Sequence, residues 1–363
     1  MDLNSLDWEV LDRLRETFLT NARSEGPYWH TITDLEAYDL TYAERIGWKW
    51  DAVLRELKLR NWTPLSPAAR GGPSSREATG SGRSDTFAAS RELGPPGQNA
   101  ITVFDWGCGS GIAGRRVVEF PGVENVARLV LHDHSALAVE FAEHRARKSF
   151  PSVAVERASY RFLQEGVIDV LVVSHVLNEL DAVGRAELTA LLARAQTVLW
   201  VEPGTHEVGR ALVDWREQAR TAGFNVVAPC PHDAACGLLA ADRERDWCHF
   251  FAAPPPEIFA NSEWVKFGQR AGIDLRSLPY SFLVLDRRAW TQPADASRIL
   301  GEPRVYKGYA KIFNCSARGV EELMLQQRAD KELFKSLKRA SGPLVYRWTR
   351  DGDRINAAER LLR

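Results

Sequence analysis

The segment ITVFDWGCGSG, residues 101–111, constrains the fold of this chain more than any other stretch of its length. A largely apolar run of six residues passes straight into glycines at 107, 109 and 111. Glycine accepts backbone conformations closed to other residues and lets the chain come close to a ligand. The segment therefore reads as a buried strand that turns sharply into a helix. The same alternation continues downstream. RLVLHD (128–133), VIDVLVVSH (167–175) and TVLWVEPG (197–204) read as further apolar strands, with helical stretches near 135–147 and 181–195 between them. A helix at about 207–222 leads to FNVVAPC (224–230), and SFLVLDR (281–287) is a late strand. Apolar strands separated by helices predict parallel βαβ units, an α/β sheet covered on both faces.

The flanking regions differ in character. Trp8, Leu11, Leu14 and Phe18 recur at helical spacing, as do Ile46, Val53, Leu54 and Leu57, so residues 1–62 are expected to form a helical N-terminal domain. Its many aromatic residues, Trp29, Trp48 and Trp50 among them, suit either an aromatic core or a surface that stacks on RNA. Residues 63–100 are rich in Gly, Ser, Pro and Arg, and read as a flexible linker. Residues 101–288 then form the main α/β domain and 289–363 a basic C-terminal extension. From 331 to 363 there are nine Lys and Arg against four Asp and Glu, about +5, within a chain whose net charge is −1. Such a tail reads as a solvated helical surface or a phosphate-binding footprint. With 45% hydrophobic and 26% charged residues the chain has the composition of a soluble globular protein. No apolar run approaches the ~20 residues that span a bilayer, and the acidic start MDLNSLDWEV is unlike a signal or transit peptide. The expectation is a cytoplasmic monomer with no membrane partner.

In the glycine segment the third glycine follows the second by two residues, giving GxGxG, and Asp105 precedes Gly107 by two. This resembles motif I of the class I S-adenosylmethionine-dependent methyltransferases. The resemblance implies a Rossmann-like methyltransferase sheet and S-adenosylmethionine as cofactor, with Asp105, Gly107, Gly109 and Gly111 around its methionine and ribose. Asp133 ends the second strand, where a carboxylate can accept from both ribose hydroxyls; it could instead cap the next helix. Ser159 and His175 are secondary candidates, and Cys108, inside the loop, is assigned to packing. No side chain acquires a catalytic role. The (N/D)PP(Y/F) segment of amino-group methyltransferases is replaced by SHVLNEL (174–180). Cys230-Pro231 lies past the fifth strand and its helix, too late for a cytosine-attacking nucleophile. Asn178, Glu179 and Glu202 are expected at the ligand-facing edge of the sheet.

Residues 228–250 place Cys230, Cys236 and Cys248 in one loop, three of only five cysteines in the chain. Soft thiolates select zinc or iron–sulfur clusters, and buried free thiols are the alternative. The spacing of five and then eleven intervening residues is not a CxxC knuckle and names no metal. A fourth ligand is needed to close the site. Cys315, in KGYAKIFNCSARG, is the remaining cysteine, with His232 and His249 as competing ligands.

DWGCGSG, SHVLNEL, VEPG, PCPHDAAC, DWCHF and a strand ending in Cys315 before a glycine occur in that order. Over roughly 100–350 the chain resembles the methyltransferase-like proteins associated with the small subunit of mitochondrial ribosomes and their bacterial relatives. Lacking a transit peptide, it looks like a bacterial-type member. The resemblance implies a [4Fe–4S] cluster on Cys230, Cys236, Cys248 and Cys315, preferred here over zinc. It also implies S-adenosylmethionine binding and a role in small-subunit assembly or translation through contact with rRNA and ribosomal proteins. The competing readings are a small-molecule methyltransferase with a structural zinc and a non-catalytic RNA-binding scaffold.

Overall fold

The structure, a computed structural model, describes residues 6–20, 28–65 and 100–362. Nearly all of the expected linker, 66–99, lies outside the described residues. Three helices come first: α1 (Trp8–Thr20), α2 (Ile32–Leu40) and α3 (Tyr42–Leu59). α2 begins at a capping box in which Thr31 and Asp34 each bond the other's backbone N–H. These helices share a core with the sheet that follows, because Trp50, Val53 and Leu57 pack in the same apolar cluster as Val103, Val117 and Leu129.

The main sheet and its covering helices run in the order β1 (Ile101–Trp106), α4 (Ile112–Glu119), β2 (Val126–His132), α5 (Ala136–Ser149), β3 (Ala154–Arg157), α6 (Tyr160–Glu165), β4 (Ile168–Ser174), α7 (Ala182–Arg194), β5 (Ala195–Pro203), α8 (His206–Thr221), β6 (Asn225–Ala228), β7 (Phe250–Phe251), α9 (Ser262–Ala271) and β8 (Pro279–Asp286). In space the strands lie β3-β2-β1-β4-β5-β8-β6, with β7 paired to one end of β8. β1 to β5 are parallel, as the alternation predicts. β8 is antiparallel to both β5 and β6, so the sheet is mixed. β8 is reached through β7 and α9 instead of one crossover helix, and it enters the sheet from the opposite end. β1 is buried at all six positions, which is why it reads as a continuous apolar run.

Residues 289–363, expected as a basic extension, hold a second sheet. It contains β9 (Ser297–Ile299), β10 (Arg304–Tyr306), β11 (Tyr309–Ser316), β12 (Gly319–Gln326), α10 (Lys331–Leu337), β13 (Val345–Asp351) and β14 (Arg354–Arg360). β9 pairs with β11 on one side and β13 on the other, so the path β9-β11-β12-β14-β13 closes on itself. Ile312, Leu323, Leu325, Phe334 and Ile355 fill its interior. The tail read as a solvated helical surface is therefore one seven-residue helix and a hairpin. The signal was present: Asp351-Gly352 sits between two runs of alternating residues, a hairpin signature. Among the described residues no helix is long and apolar enough to cross a membrane.

Candidate functional site

A cleft of about 410 Å3 opens at the carboxyl ends of β1, β2 and β4, where open α/β sheets bind ligands. Its floor is the glycine turn. Gly107, Gly109 and Gly111 all adopt positive φ, at +71°, +51° and +76°, and the backbone N–H groups of Gly107 and Cys108 both donate to the His132 carbonyl at 2.9 Å. The two ends of the turn are crowded: a Cβ on Gly107 would stand 2.8 Å from Val176 Cγ1, and one on Gly111 2.8 Å from Ala142 Cβ. For Gly111→Ala, about 1–2 kcal/mol for the left-handed backbone and ~1–3 kcal/mol for the forced contact both apply. A loss of roughly 2–4 kcal/mol is expected in chemical unfolding, and a neutral variant would contradict this account of the turn.

The expected site residues divide into two groups. Gly107, Gly109 and Asp133 line the cleft, as do Cys108, Ser110 and His175. Asp133 closes β2 with both oxygens engaged: Oδ2 accepts from Gly109 N and Oδ1 from Ser135 N, each at 2.9 Å. Asp105 is not on the cleft wall. It is fully buried beneath the turn, where its Oδ2 accepts from Gly114 N at 2.9 Å and so ties β1 to α4. Its Oδ1 and the Ser110 hydroxyl are buried without a hydrogen-bond partner. Gly111 caps α4 behind the turn, and Ser159 caps α6, outside the cleft lining.

The opposite wall was not legible in the sequence. Tyr28, Trp29, Tyr38 and Ile46, from the N-terminal helices and the segment before α2, complete the cleft. Beside it, Lys49 Nζ lies 3.1 Å from His175 Nε2, while Trp50 Nε1 donates to Ser174 Oγ at 3.0 Å. His175 holds φ at +57°, in the left-handed region, as it turns the chain off β4. Glu202 is buried under this turn, accepting from Val176 N and Trp200 Nε1, while Glu179 lines the cleft and Asn178 is exposed.

Enclosure shifts the charges of these groups. Burial pushes Asp105 and Glu202 each up to about 7, with Asp133 adding to the first. Burial and then the nearby Arg45 hold Lys49 down to about 7. A carboxyl that binds its proton more tightly folded than unfolded costs stability as pH rises from about 4 to 7. Lys49 acts with the opposite sign: the unfolded chain carries the extra proton between about 7 and 10, so stability returns with pH there. The melting temperature of the ligand-free protein is expected to dip near neutral pH, and Glu202→Gln to flatten the acidic arm. A calorimetric pH series with an unchanged acidic arm in the variant would refute the assignment to Glu202.

The second candidate lies beside β8, toward the opposite edge of the sheet from β2. Cys230, Cys236, Cys248 and Cys315 line one small cavity between α8, β8 and the closed barrel, so the distant Cys315 does join the loop cysteines. It sits on β11, and the glycine pair beside it is packed closely enough that a Cβ on Gly237 would stand 2.7 Å from Gly319 Cα. Arg216, almost fully buried, donates to Cys230 Sγ at 3.1 Å and to the carbonyls of His232 and Ala234. His232 Nε2 is 3.5 Å from Cys315 Sγ. His249 stacks on Trp247 and is not part of the cavity lining. As placed here, among the described residues no group of three or more His, Cys, Asp or Glu could hold a metal ion. Burial pushes the thiols of Cys248 and Cys315 well up and Cys236 up to about 11, neighbouring cysteines adding to each.

Strand order, glycine turn and the acid closing β2 together define a Rossmann-like methyltransferase fold. The chain belongs to the family described as "Mitochondrial small ribosomal subunit Rsm22", which matches residues 102–344. No curated protein matches it. Among solved structures, magnesium protoporphyrin IX methyltransferase from Synechocystis PCC 6803 with bound SAH is 11% identical with a TM-score of 0.38, covering 77% of this chain and 95% of that one. The N-methyltransferase NodS from Bradyrhizobium japonicum WM9, in complex with S-adenosyl-L-homocysteine, is 13% identical with a TM-score of 0.31, covering 54% and 83%.

Proposed function

We propose that this protein binds S-adenosylmethionine in the glycine-turn cleft and acts as a methyltransferase-like factor on the small ribosomal subunit. The observation that carries the reading is the placement of Asp133 on the cleft wall beside Gly109, in a chain of the Rsm22 family. Each Asp133 oxygen keeps a free lone pair after its backbone bond, enough to accept from two ribose hydroxyls. Gly107 and Gly109 leave the turn open to the methionine portion, and Tyr28, Trp29 and Tyr38 offer aromatic walls. The cofactor, when bound, supplies an electrophilic methyl group; the residues named here bind and orient it.

The cysteine cavity is read as the seat of a [4Fe–4S] cluster. Its donors are four thiols, the ligand set such clusters take. A single zinc needs its sulfurs converged on bonds of ~2.3 Å, whereas a cubane reaches sulfurs that stand further apart. Arg216 at Cys230 and the positive charge of Arg298 near Cys248 suit a net-negative cluster. When bound, the cluster supplies a covalent brace between the barrel and the body of the fold.

The test is a calorimetric titration with S-adenosylmethionine on wild type and Asp133→Ala, followed by sedimentation with small subunits. Binding by wild type, at least tenfold weakened in the variant, is expected, with comigration on the subunit. No heat of binding in wild type overturns the cofactor reading, and absence from the subunit fraction overturns the ribosomal one.

A further inference from the structure

The barrel at the C-terminus has a topology with its own meaning. Taking β9, β11, β12, β13 and β14 as strands one to five, the closed order is 1-2-3-5-4-1. Strands three and five, β12 and β14, are parallel, and every other pairing is antiparallel. A helix, α10, bridges strands three and four. This is the connectivity of the OB-fold, a five-stranded barrel that binds oligonucleotides across strands two and three and the loops beside them.

The face that binds in such barrels is furnished here for a nucleic acid. Register places Tyr306 opposite Tyr309 and Arg304 opposite Lys311, and on the next pair Tyr309 opposite Gln326 and Lys311 opposite Met324. Alternation puts all of these on the outer side of the strands, since Ala310, Ile312, Leu323 and Leu325 are buried in the barrel. Tyr306 and Tyr309 lie stacked, ring centres 4.9 Å apart and planes 16° off parallel, and Tyr306 remains 44% exposed. From Tyr306 and Lys307 a groove of about 600 Å3 runs past the end of α10 to Lys338 and Arg339, with Glu302 as its one acid. On the same face Glu322 is held by Arg304 and Lys311. The far end of the face is covered, because Cys315 and Gly319 pack against the cysteine loop.

Charge points to the same occupant. Residues 297–360 carry 14 Lys and Arg against eight Asp and Glu, or +6, whereas residues 1–296 sum to −8. Net positive charge is thus a property of the barrel and not of the residues before it, the electrostatic footprint of a polyanion.

We infer that residues 297–360 form an OB-type barrel that binds single-stranded RNA, its bases stacking on Tyr306 and Tyr309 and its phosphates running to Lys307, Lys338 and Arg339. The inference deepens the ribosomal reading above by naming the element and the form of RNA. It is independent of what the cleft holds. Exposed aromatic side chains that stack bases contribute ~1–3 kcal/mol per base, roughly 5- to 150-fold in affinity.

The experiment uses the full chain and a labelled uridine-rich single strand, with a duplex of equal length as control, at two salt concentrations. Wild type is expected to bind the single strand more tightly than the duplex, and more weakly at high salt. Tyr306→Ala/Tyr309→Ala is expected to lose at least tenfold, and Lys338→Gln/Arg339→Gln to lower the salt dependence. Melting temperature and far-ultraviolet circular dichroism should be unchanged in both variants, which certifies their folding. Equal affinity of the tyrosine variant, a preference for duplex, or no binding by wild type overturns the inference. So does unchanged RNA binding together with loss of a small-subunit protein, which transfers the face to a protein partner. RNA binding that holds while wild type fails to join the small subunit sinks the ribosomal reading alone.

Discussion

If the cysteine cavity holds the proposed cluster, wild type prepared without oxygen is expected to be brown with about four irons per chain, and Cys315→Ala to lose most of that iron. The expectation follows from where Cys315 sits. Cys230, Cys236 and Cys248 belong to one loop, and Cys315 enters from β11 of the barrel, with 66 residues between it and Cys248. Without the fourth thiolate one iron loses its protein ligand and is open to solvent and loss. Coordination bonds hold structural sites with apparent energies on the order of 10 kcal/mol, so the loss reaches stability as well as colour. The barrel then keeps only its packing and polar contacts with the body, and its protease sensitivity should rise well above that of wild type. Cys108→Ala is the control: Cys108 lies in the glycine turn and lines the cleft, not the cysteine cavity, so its removal should leave iron content unchanged. Iron and visible absorbance measured on these three proteins decide the matter. A colourless wild type with one zinc per chain overturns the cluster, and a Cys315→Ala protein with full iron overturns the fourth ligand.

The cysteine site and the cleft differ in how far the sequence discloses them, and the reason is the same in both. Local signals survive in sequence: the GxGxG turn after a buried strand, Asp133 at the end of β2, and three cysteines in one loop each sit within a few residues of what they work with. Partners brought in by tertiary folding leave no such trace. Lys49 meets His175 across 126 residues, and the aromatic wall of the cleft comes from helices whose apolar residues suit a core of their own equally well. α2 was invisible because ITDLEAYDL buries Asp34 and Asp39 along with Leu35, which blurs the contrast between faces on which a helical pattern depends. The barrel escaped for another reason. β9 and β10 are three residues each, too short to show alternation, and basic residues on the outer positions of the later strands suggest a solvated tail when read singly. Charge asymmetry along the chain is one trace of the barrel at this level, and it fits a solvated surface as well as a phosphate-binding one.

Glu56→Ala is expected to be the most damaging substitution outside the cysteines. Glu56, on α3, is buried at 1% exposure between two arginines that are themselves buried. Arg298 of β9 grips it with two bonds, Nη1 to Oε1 at 2.5 Å and Nη2 to Oε2 at 2.8 Å. Arg60 adds Nε and Nη2 to Oε1 at 2.9 and 2.8 Å. Both arginines also donate to the Pro229 carbonyl, next to Cys230, and Arg298 lies 4.0 Å over the Phe250 ring. One carboxylate therefore joins the N-terminal helices, the barrel and the root of the cysteine loop. Burial alone would raise the Glu56 carboxyl, but Arg298 and Arg60 hold it below its ordinary value. Its contribution is accordingly complete above the unfolded value of ~4.3 and is lost as pH falls below it. Removing the carboxylate strands two guanidinium groups in the interior. Breaking one buried pair costs about 3–5 kcal/mol, so at least that is expected, with a melting temperature lower by roughly 5–15 °C. Poor folding by itself would not identify the cause, and a second variant does. Glu56→Leu/Arg60→Leu/Arg298→Met removes every charge of the cluster at similar volume, and such replacements are often neutral or stabilising. The triple variant is expected to melt well above Glu56→Ala. If it melts as low as the single substitution, the damage comes from lost packing or lost bonds to Pro229, and stranded charge is not the reason these three parts hold together.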